Sequence, residues 1–303
     1  EAGGDGPLAR YRATHLPMPN DPIGKLVGGR YRLLSLLGRG GVGSVYLAED
    51  RRRGRNTRVA VKLLRTEHAQ DADLRERLRR EGAAATDIAH ENVVRILDSG
   101  EMPDGQPFLV MEALEGDSLA KWIQRDGALS LPRIVPILQQ ACLALGAAHL
   151  RAIVHRDVKP GNVFLVPRGD GSEVVKLLDF GTSDRPAPRK VRGRRPAAFV
   201  GTPEYMSPEQ ASAGAFDHRS DIYSLGIVAY EALTGRLPFD GGNPLATLMQ
   251  HGTDVPPPLR GLRPELPVAV ERVVLRALAK RPSDRPQSME EFSVQFSLAA
   301  GGG

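Results

Sequence analysis

From Tyr31 onward, apolar and polar positions alternate in runs broken by short turns. YRLLSLL, SVYLAED and VAVKLL are patterned as strands, separated by the glycine-rich GRGGVG and by the basic residues 51–56. The pattern predicts an antiparallel hairpin with a glycine tip, followed by a further strand. In VAVKLL, alternation places Ala60 and Lys62 on one face and Val59, Val61 and Leu63 on the other. The period then lengthens. In DADLRERLRREGAAATDI, Leu74, Leu78, Glu81, Ala85 and Ile88 fall on one helical stripe, so a carboxylate points inward. An inward carboxylate needs a cation, and Lys62 is the obvious partner. Further on, residues 153–166 set a charged loop between two apolar runs. A strand-length run at residues 174–178 leads into a second acidic loop, DFG, and another apolar helix begins at Asp221 and runs through Leu233. Residues 236–267, rich in Pro and Gly, read as surface loops, and residues 1–27 as a flexible lead-in.

Composition narrows the class. The 303 residues, 41% hydrophobic and 25% charged, suffice for one large domain or two lobes with separate cores. No apolar run reaches membrane-spanning length by this reading, and no signal peptide is evident. The lone Cys142 excludes an internal disulfide and suits a reducing cytoplasm. A net charge of +5 is mild and does not by itself indicate nucleic acid. The chain begins at Glu1 rather than Met and ends in three glycines, the expectation for a piece of something longer.

The chemistry lies in the loops. Asp157, Lys159 and Asn162 offer an acceptor, a cation and a neutral oxygen ligand, and Asp179 adds a second carboxylate. Carboxylate, amide oxygen and carboxylate at one edge make a hard-oxygen site suited to Mg²⁺. Gly38, Gly40 and Gly43 form G-x-G-x-x-G. A dinucleotide-binding loop shares that spacing but opens a helix, whereas SVYLAED continues as a strand. A glycine-tipped hairpin lets backbone N–H groups approach phosphate oxygens, and Lys62 on the neighbouring strand would reach the same phosphates.

The ordered motifs GRGGVGSV, VAVK, the inward Glu81, VMEAL, HRDVKPGN, DFG, GTPEYMSPE and DIYSLG resemble the protein-kinase superfamily, specifically the bacterial eukaryote-like serine/threonine kinases. The resemblance covers residues 28–298. It implies a bilobal α+β fold: a small N-lobe (about 28–111) of five-stranded antiparallel sheet plus one helix, a larger, mainly helical C-lobe (about 115–298), ATP in the cleft, and a tail at 299–303. It implies Met111 as gatekeeper, the backbone of Glu112 to Leu114 on the adenine, Val45 and Ala60 covering it from above, and Phe164 supporting it from below. Asp157 would accept the substrate hydroxyl proton and Lys159 would offset charge on the moving phosphoryl group. Asn162 and Asp179 would hold Mg²⁺ or Mn²⁺, and Lys62, fixed by Glu81, would grip the α- and β-phosphates. Lys159 together with Thr202, whose hydroxyl would bridge Asp157 and Lys159, implies serine/threonine acceptors on proteins, this chain included. Glu209 would pair with Arg285, and Asp221 would anchor the catalytic loop from below.

One departure stands out. Arg156 marks a kinase type switched by a phosphate on the activation loop, yet residues 184–201 contain no Ser, Thr or Tyr and carry Arg194 and Pro196 where relatives usually place threonines. An acidic partner or substrate is one candidate for ordering that basic loop; a mobile, solvated loop is the alternative. RKVRGRR and RRRGR lack interleaved aromatics, which disfavours nucleic acid. The competing functional class is a nucleotide-binding pseudokinase acting as a signalling scaffold, but Lys62, Asp157, Asn162 and Asp179 are all filled as an active enzyme requires.

Overall fold

Strand patterning near the start of the chain resolves into a six-stranded antiparallel sheet. The computed structural model describes residues 22–41, 43–52, 57–65, 68–180, 201–212 and 214–301, and the chain divides into two units: residues up to Ala89 with Val94–Glu115, and His90–Val93 with the remainder from Gly116. The first unit contains β1 (Leu26–Val27), β2 (Tyr31–Arg39), β3 (Gly43–Asp50), β4 (Arg58–Leu64), α1 (Ala72–Ile88), β5 (Ile96–Glu101) and β6 (Pro107–Glu112), in sheet order β1-β2-β3-β4-β6-β5. Five strands were expected; the sixth is the two-residue β1. It pairs with β2 because Gly28 and Gly29, at φ 56° and 64°, reverse the chain in a conformation other residues rarely adopt. Two residues are too few for periodicity to reveal.

The sheet carries a core on each face. Val59, Val61 and Leu63 of β4 pack with Leu33, Leu36 and Phe108, as the alternation predicted. On the other face, Leu64 and Leu109 pack under Leu78 of α1. Asp71 caps α1, its side chain accepting the Leu74 N–H at 3.0 Å. Mid-helix Gly82 is explained by proximity: a Cβ there would lie 2.6 Å from Leu109 Cδ1, so α1 rests on β6 more closely than a side chain would permit.

The second unit follows as β7 (Asp117–Ser118), α2 (Leu119–Asp126), α3 (Leu131–His149), β8 (Val163–Pro167), β9 (Glu173–Leu177), α4 (Pro208–Ala211), α5 (Arg219–Thr234), α6 (Pro244–Thr253), α7 (Val268–Ala277) and α8 (Met289–Gly301). β7, β8 and β9 form a small sheet in that order. α5 is buried almost all round and forms the axis of this unit. Gly226 lets it meet α7, since a Cβ there would fall 2.9 Å from that of Ala277. The fold class is thus α+β, as the resemblance implied.

One expectation is qualified and one needs correction. α3 is long and apolar enough, by length and composition, to cross a membrane. Its buried stripe, which includes Ile134, Leu138, Ala141 and Leu145, is instead covered within this unit, where Gln139 donates to Ser297 of α8 at 2.8 Å. A core helix packed on several sides loses the polar face that would otherwise mark it. Residues 236–267 are also not merely surface loops. Asn243 caps α6 there, accepting the Ala246 N–H at 2.9 Å, and Phe239, Leu248, His251 and Leu259 are buried.

The Glu209–Arg285 pair forms as expected. Arg285 is fully buried, and its guanidinium donates to both carboxylate oxygens of Glu209 at 2.7 and 2.8 Å and to the carbonyls of Arg219, Ala279 and Lys280. Burial pushes the Glu209 carboxyl up, but the Arg285 and Ser220 hydrogen bonds and the guanidinium charge outweigh it, leaving it below the ordinary carboxylate range. Its stabilising contribution is therefore present above that range and is lost as pH falls through the depressed value. Arg285→Ala leaves a buried carboxylate unpaired and is expected to cost about 3–5 kcal/mol; urea unfolding measures it, and an unchanged midpoint contradicts the assignment.

Candidate active site

In the first unit, β4 sets Lys62 opposite Val45 of β3 and Leu109 of β6. Its Nζ donates to both carboxylate oxygens of Glu81, at 2.7 and 2.9 Å. The glutamate side chain is 7% exposed and the lysine 17%, so each carries a desolvation cost that the other offsets. The pairing expected from the strand alternation and the helical stripe is present.

The glycine hairpin lies beside this pair. Gly40 N–H donates to Gly43 O at 2.8 Å. A Cβ on Gly43 would fall 2.9 Å from the Leu63 carbonyl oxygen and 3.7 Å from Lys62 Cε, so the tip lies against β4 next to the lysine. Gly38 is different. A Cβ there would meet nothing within 4 Å, so internal packing does not call for glycine at that position. Ala60 pairs in register with Met111. Glu112 exchanges two bonds with Arg95, donating its N–H to the Arg95 carbonyl and accepting the Arg95 N–H on its side chain, and Leu114 lies half-buried just after β6.

In the second unit, prolines shape the cluster. Pro160 holds Lys159 extended, at φ −154° and ψ 162°, and opens a 3₁₀ turn over Pro160–Asn162. The turn brings Asn162 back, so that Nδ2 donates to the Asp157 carbonyl at 2.8 Å and to its Oδ2 at 3.4 Å. Pro203 does the same for Thr202, at φ −99° and ψ 111°. Thr202 Oγ1 donates to Asp157 Oδ1 at 2.9 Å and its N–H to the same oxygen at 3.1 Å. Lys159 Nζ donates both to Asp157 Oδ2 and to Thr202 Oγ1, each at 2.7 Å. The side chains of Lys159, Asn162 and Thr202, predicted from HRDVKPGN and GTPEYMSPE, thus all converge on Asp157.

Beneath them lies Asp221, fully buried in the first turn of α5. Its Oδ1 accepts the Arg156 N–H at 2.8 Å, and its Oδ2 accepts the His155 N–H at 2.9 Å and faces His149 Nε2 at 2.8 Å. Burial pushes its carboxyl up; the hydrogen bonds from His149 and the backbone outweigh that, and the net shift is downward. These bonds hold Arg156 at φ 70°, a conformation costly for a side-chain-bearing residue. Gln210 Nε2 adds a bond to the Arg156 carbonyl at 3.1 Å, and the guanidinium lies 3.9 Å from the Phe216 ring centroid.

His155 couples the two loops. Its Nε2 donates to the Leu178 carbonyl at 2.9 Å, which leaves Nδ1 to accept the Asp157 N–H at 3.3 Å. Its ring stacks on Phe180, with centroids 4.6 Å apart. Asp179, between them, sits at φ 68°, and the Leu178 N–H is bonded to the Asn162 carbonyl at 2.9 Å. Phe164 of β8 pairs with Ser118. Of the activation-segment expectations, Thr182, Ser183, Arg194 and Pro196 lie outside the described residues.

The sequence reading missed the supports of Thr202. Ser224 Oγ donates to the Tyr205 carbonyl at 2.7 Å, and Tyr205 OH donates to Glu231 Oε2 at 2.6 Å. Burial and the nearby Glu204 raise the Glu231 carboxyl, and burial and Glu231 raise the Tyr205 phenol. Residues buried in an apolar helix give no sequence signal for such contacts.

A sheet unit carrying a lysine–glutamate pair beneath a glycine hairpin, with a helical unit carrying an Asp-Lys-Asn-Thr cluster on a buried aspartate, defines the protein-kinase fold. The chain belongs to the protein kinase domain family, whose model matches residues 31–296. It is 42% identical over 299 residues to the serine/threonine-protein kinase Pkn1 of Myxococcus xanthus, covering 97% of this chain and 42% of that protein. It is 37% identical over 277 residues to PrkC of Bacillus subtilis, covering 91% of this chain and 41% of that one. The chain therefore spans less than half the length of these relatives. The crystal structure of the Mycobacterium tuberculosis PknI kinase domain superposes with a TM-score of 0.71 at 28% identity, covering 92% of this chain and 98% of that one.

Asp221→Asn retains shape but sets an amide NH₂ against one of the backbone N–H groups of His155 and Arg156. A loss of about 1–3 kcal/mol is expected from the donor left unpaired. Chemical denaturation checks it, and wild-type stability would rule out the anchoring role.

Proposed function

We propose that this domain transfers the γ-phosphoryl group of ATP to serine and threonine hydroxyls of proteins, its own chain included. The observation that carries the reading is the Thr202 hydroxyl lodged between Asp157 and Lys159, which aligns a carboxylate and a cation around one hydroxyl-sized position.

Asp157 accepts bonds from Thr202, Lys159 and Asn162, and these donors fix its orientation. Its task is to hold the acceptor hydroxyl in line and take its proton as the bond to phosphorus forms, so that the oxygen–phosphorus bond to ADP breaks with charge leaving on ADP. Lys159 offsets charge on the transferred group. Lys62, oriented by Glu81, grips the α- and β-phosphates, and the glycine hairpin supplies backbone N–H groups to them. The unfilled space at the Gly38 Cβ position fits such an approach. Met111, Glu112, Leu114, Val45, Ala60 and Phe164 are assigned to the adenine.

Asn162 and Asp179 suit Mg²⁺ or Mn²⁺. Both are hard-oxygen donors, and commitment of Asn162 Nδ2 to the Asp157 carbonyl turns Oδ1 the other way, toward use as a ligand. When bound, the ions would neutralise phosphate oxygens. The enzyme would work in the cytoplasm, where ATP is available and where a free, buried Cys142 is at home. An acidic partner or substrate is assigned to the basic segment 184–201.

Purified protein with labelled ATP, Mg²⁺ and myelin basic protein should yield labelled product. Asp157→Asn should reduce the rate about a hundredfold or more; equal labelling by both proteins would falsify the assignment. Peptide mapping of the labelled enzyme tests the acidic-partner role, and phosphate at Thr182 or Ser183 that activity requires would refute it.

A further inference from the structure

The helical unit contains a buried histidine that the mechanism above does not use. His251 of α6 is fully buried, between Tyr223 of α5 and Phe239, with ring centroids at 5.6 and 4.9 Å. Its two nitrogens have different partners. Nε2 lies 3.1 Å from the Glu204 carbonyl oxygen and Nδ1 lies 2.8 Å from Tyr223 OH. A carbonyl only accepts, so Nε2 carries the proton, and Nδ1 therefore accepts from the phenol. One tautomer satisfies both bonds. Lys280 secures the same turn of α6 from outside, its Nζ donating to the His251 carbonyl at 2.8 Å while lying 4.4 Å from the Phe239 ring centroid. Burial, and then the Lys280 charge, push the imidazole down to about 4, which keeps it neutral at ordinary pH.

Glu204 belongs to the turn Pro203–Tyr205 that Thr202 opens. Three side chains hold that turn: His251 at Glu204, Ser224 at the Tyr205 carbonyl and Glu231 at the Tyr205 hydroxyl. Ser224 and Glu231 both belong to α5; His251 alone belongs to α6. We propose that His251 is a positioning residue: its Nε2–H, aimed by Tyr223, holds the Glu204 carbonyl and so keeps the Thr202 hydroxyl registered on Asp157. Its role in catalysis rests on the kinase reading above; its role in ordering the turn does not.

The two nitrogens allow a test that a merely structural histidine would not pass. Glutamine places an amide donor near the Nε2 position, whereas asparagine is too short to reach Glu204 and keeps only a partner for Tyr223. Hydrogen exchange of peptides spanning 201–207 is measured for wild type, His251→Gln and His251→Asn, with melting curves for all three. Faster exchange in His251→Asn, with near wild-type protection in His251→Gln at similar melting temperature, is expected. Equal protection in both variants, or loss of protection that simply follows global stability, overturns the proposal. Steady-state kinetics with ATP and myelin basic protein supply the second readout. His251→Asn should lower kcat/KM for the protein about three- to tenfold, the scale of one hydrogen bond, with KM for ATP unchanged; an equal change in KM for ATP contradicts the positioning role. Should wild type transfer no phosphate, the kinase reading fails, while the exchange result still decides the structural part.

Discussion

One buried carboxylate supports the chemistry of the helical unit. Asp221 receives the N–H groups of His155 and Arg156 and a bond from His149, all from within the core. A lone carboxylate in that place would be driven to its neutral form. Three donors instead keep it charged, and a charged acceptor binds backbone N–H groups about twice as strongly as a neutral one. That margin holds Arg156 at positive φ, where the cost is about 1–3 kcal/mol. The twist at Arg156 in turn sets the direction of the next residue, Asp157. The Asp157 carboxylate, to which the proposed function assigns the catalytic role, is thus aimed by backbone geometry, and the backbone by the buried Asp221.

The same unit uses proline twice for one purpose. Lys159 and Thr202 both precede a proline, both are extended, and both open a short 3₁₀ turn. Because Pro removes the helical option for the residue before it, each side chain is directed before tertiary packing acts. Their convergence on Asp157 then needs only that the two turns be brought together, and the bonds to Tyr205, Glu204 and Arg156 do this on the Thr202 side. Local sequence supplies direction; α5 and α6 supply placement.

This division explains what could be read from the chain. Lys62, Glu81, Asp157, Lys159, Asn162 and Thr202 lie in short motifs whose spacing carries their local geometry, so their grouping within each unit was legible. The Arg285–Glu209 bond joins residues far apart in sequence and was available only through family resemblance. β1 was invisible because two residues have no period. α6 was hidden because its flanks are rich in Pro and Gly, although Asn243 before Pro244 is a start signal for a helix. His251 could not be singled out: a histidine in an amphipathic helix looks the same whether it faces water or a buried carbonyl. Only the partners, on α5 and on the turn at Glu204, distinguish the two.

In the sheet unit the Lys62–Glu81 pair depends on where α1 sits, and two kinds of contact fix it. Arg79 pairs with Glu101 of β5 at 2.7 Å, and Arg75 donates to the carbonyls of Ala69 and Asp104. The Arg79 and Glu101 side chains are 42% and 51% exposed, and exposed pairs contribute about 0–1 kcal/mol. Burying Leu78 against Leu64 and Leu109 is worth more, about 1.5–3 kcal/mol for a side chain of that kind. Gly82 adds the geometric condition, since contact with Leu109 closes the gap between helix and sheet. Packing therefore sets the distance of Glu81 from β4, and the arginines trim the orientation of the outer end of α1. All of these contacts lie within residues 64–109, so the position of α1, and with it the lysine–glutamate pair, is set from inside its own unit.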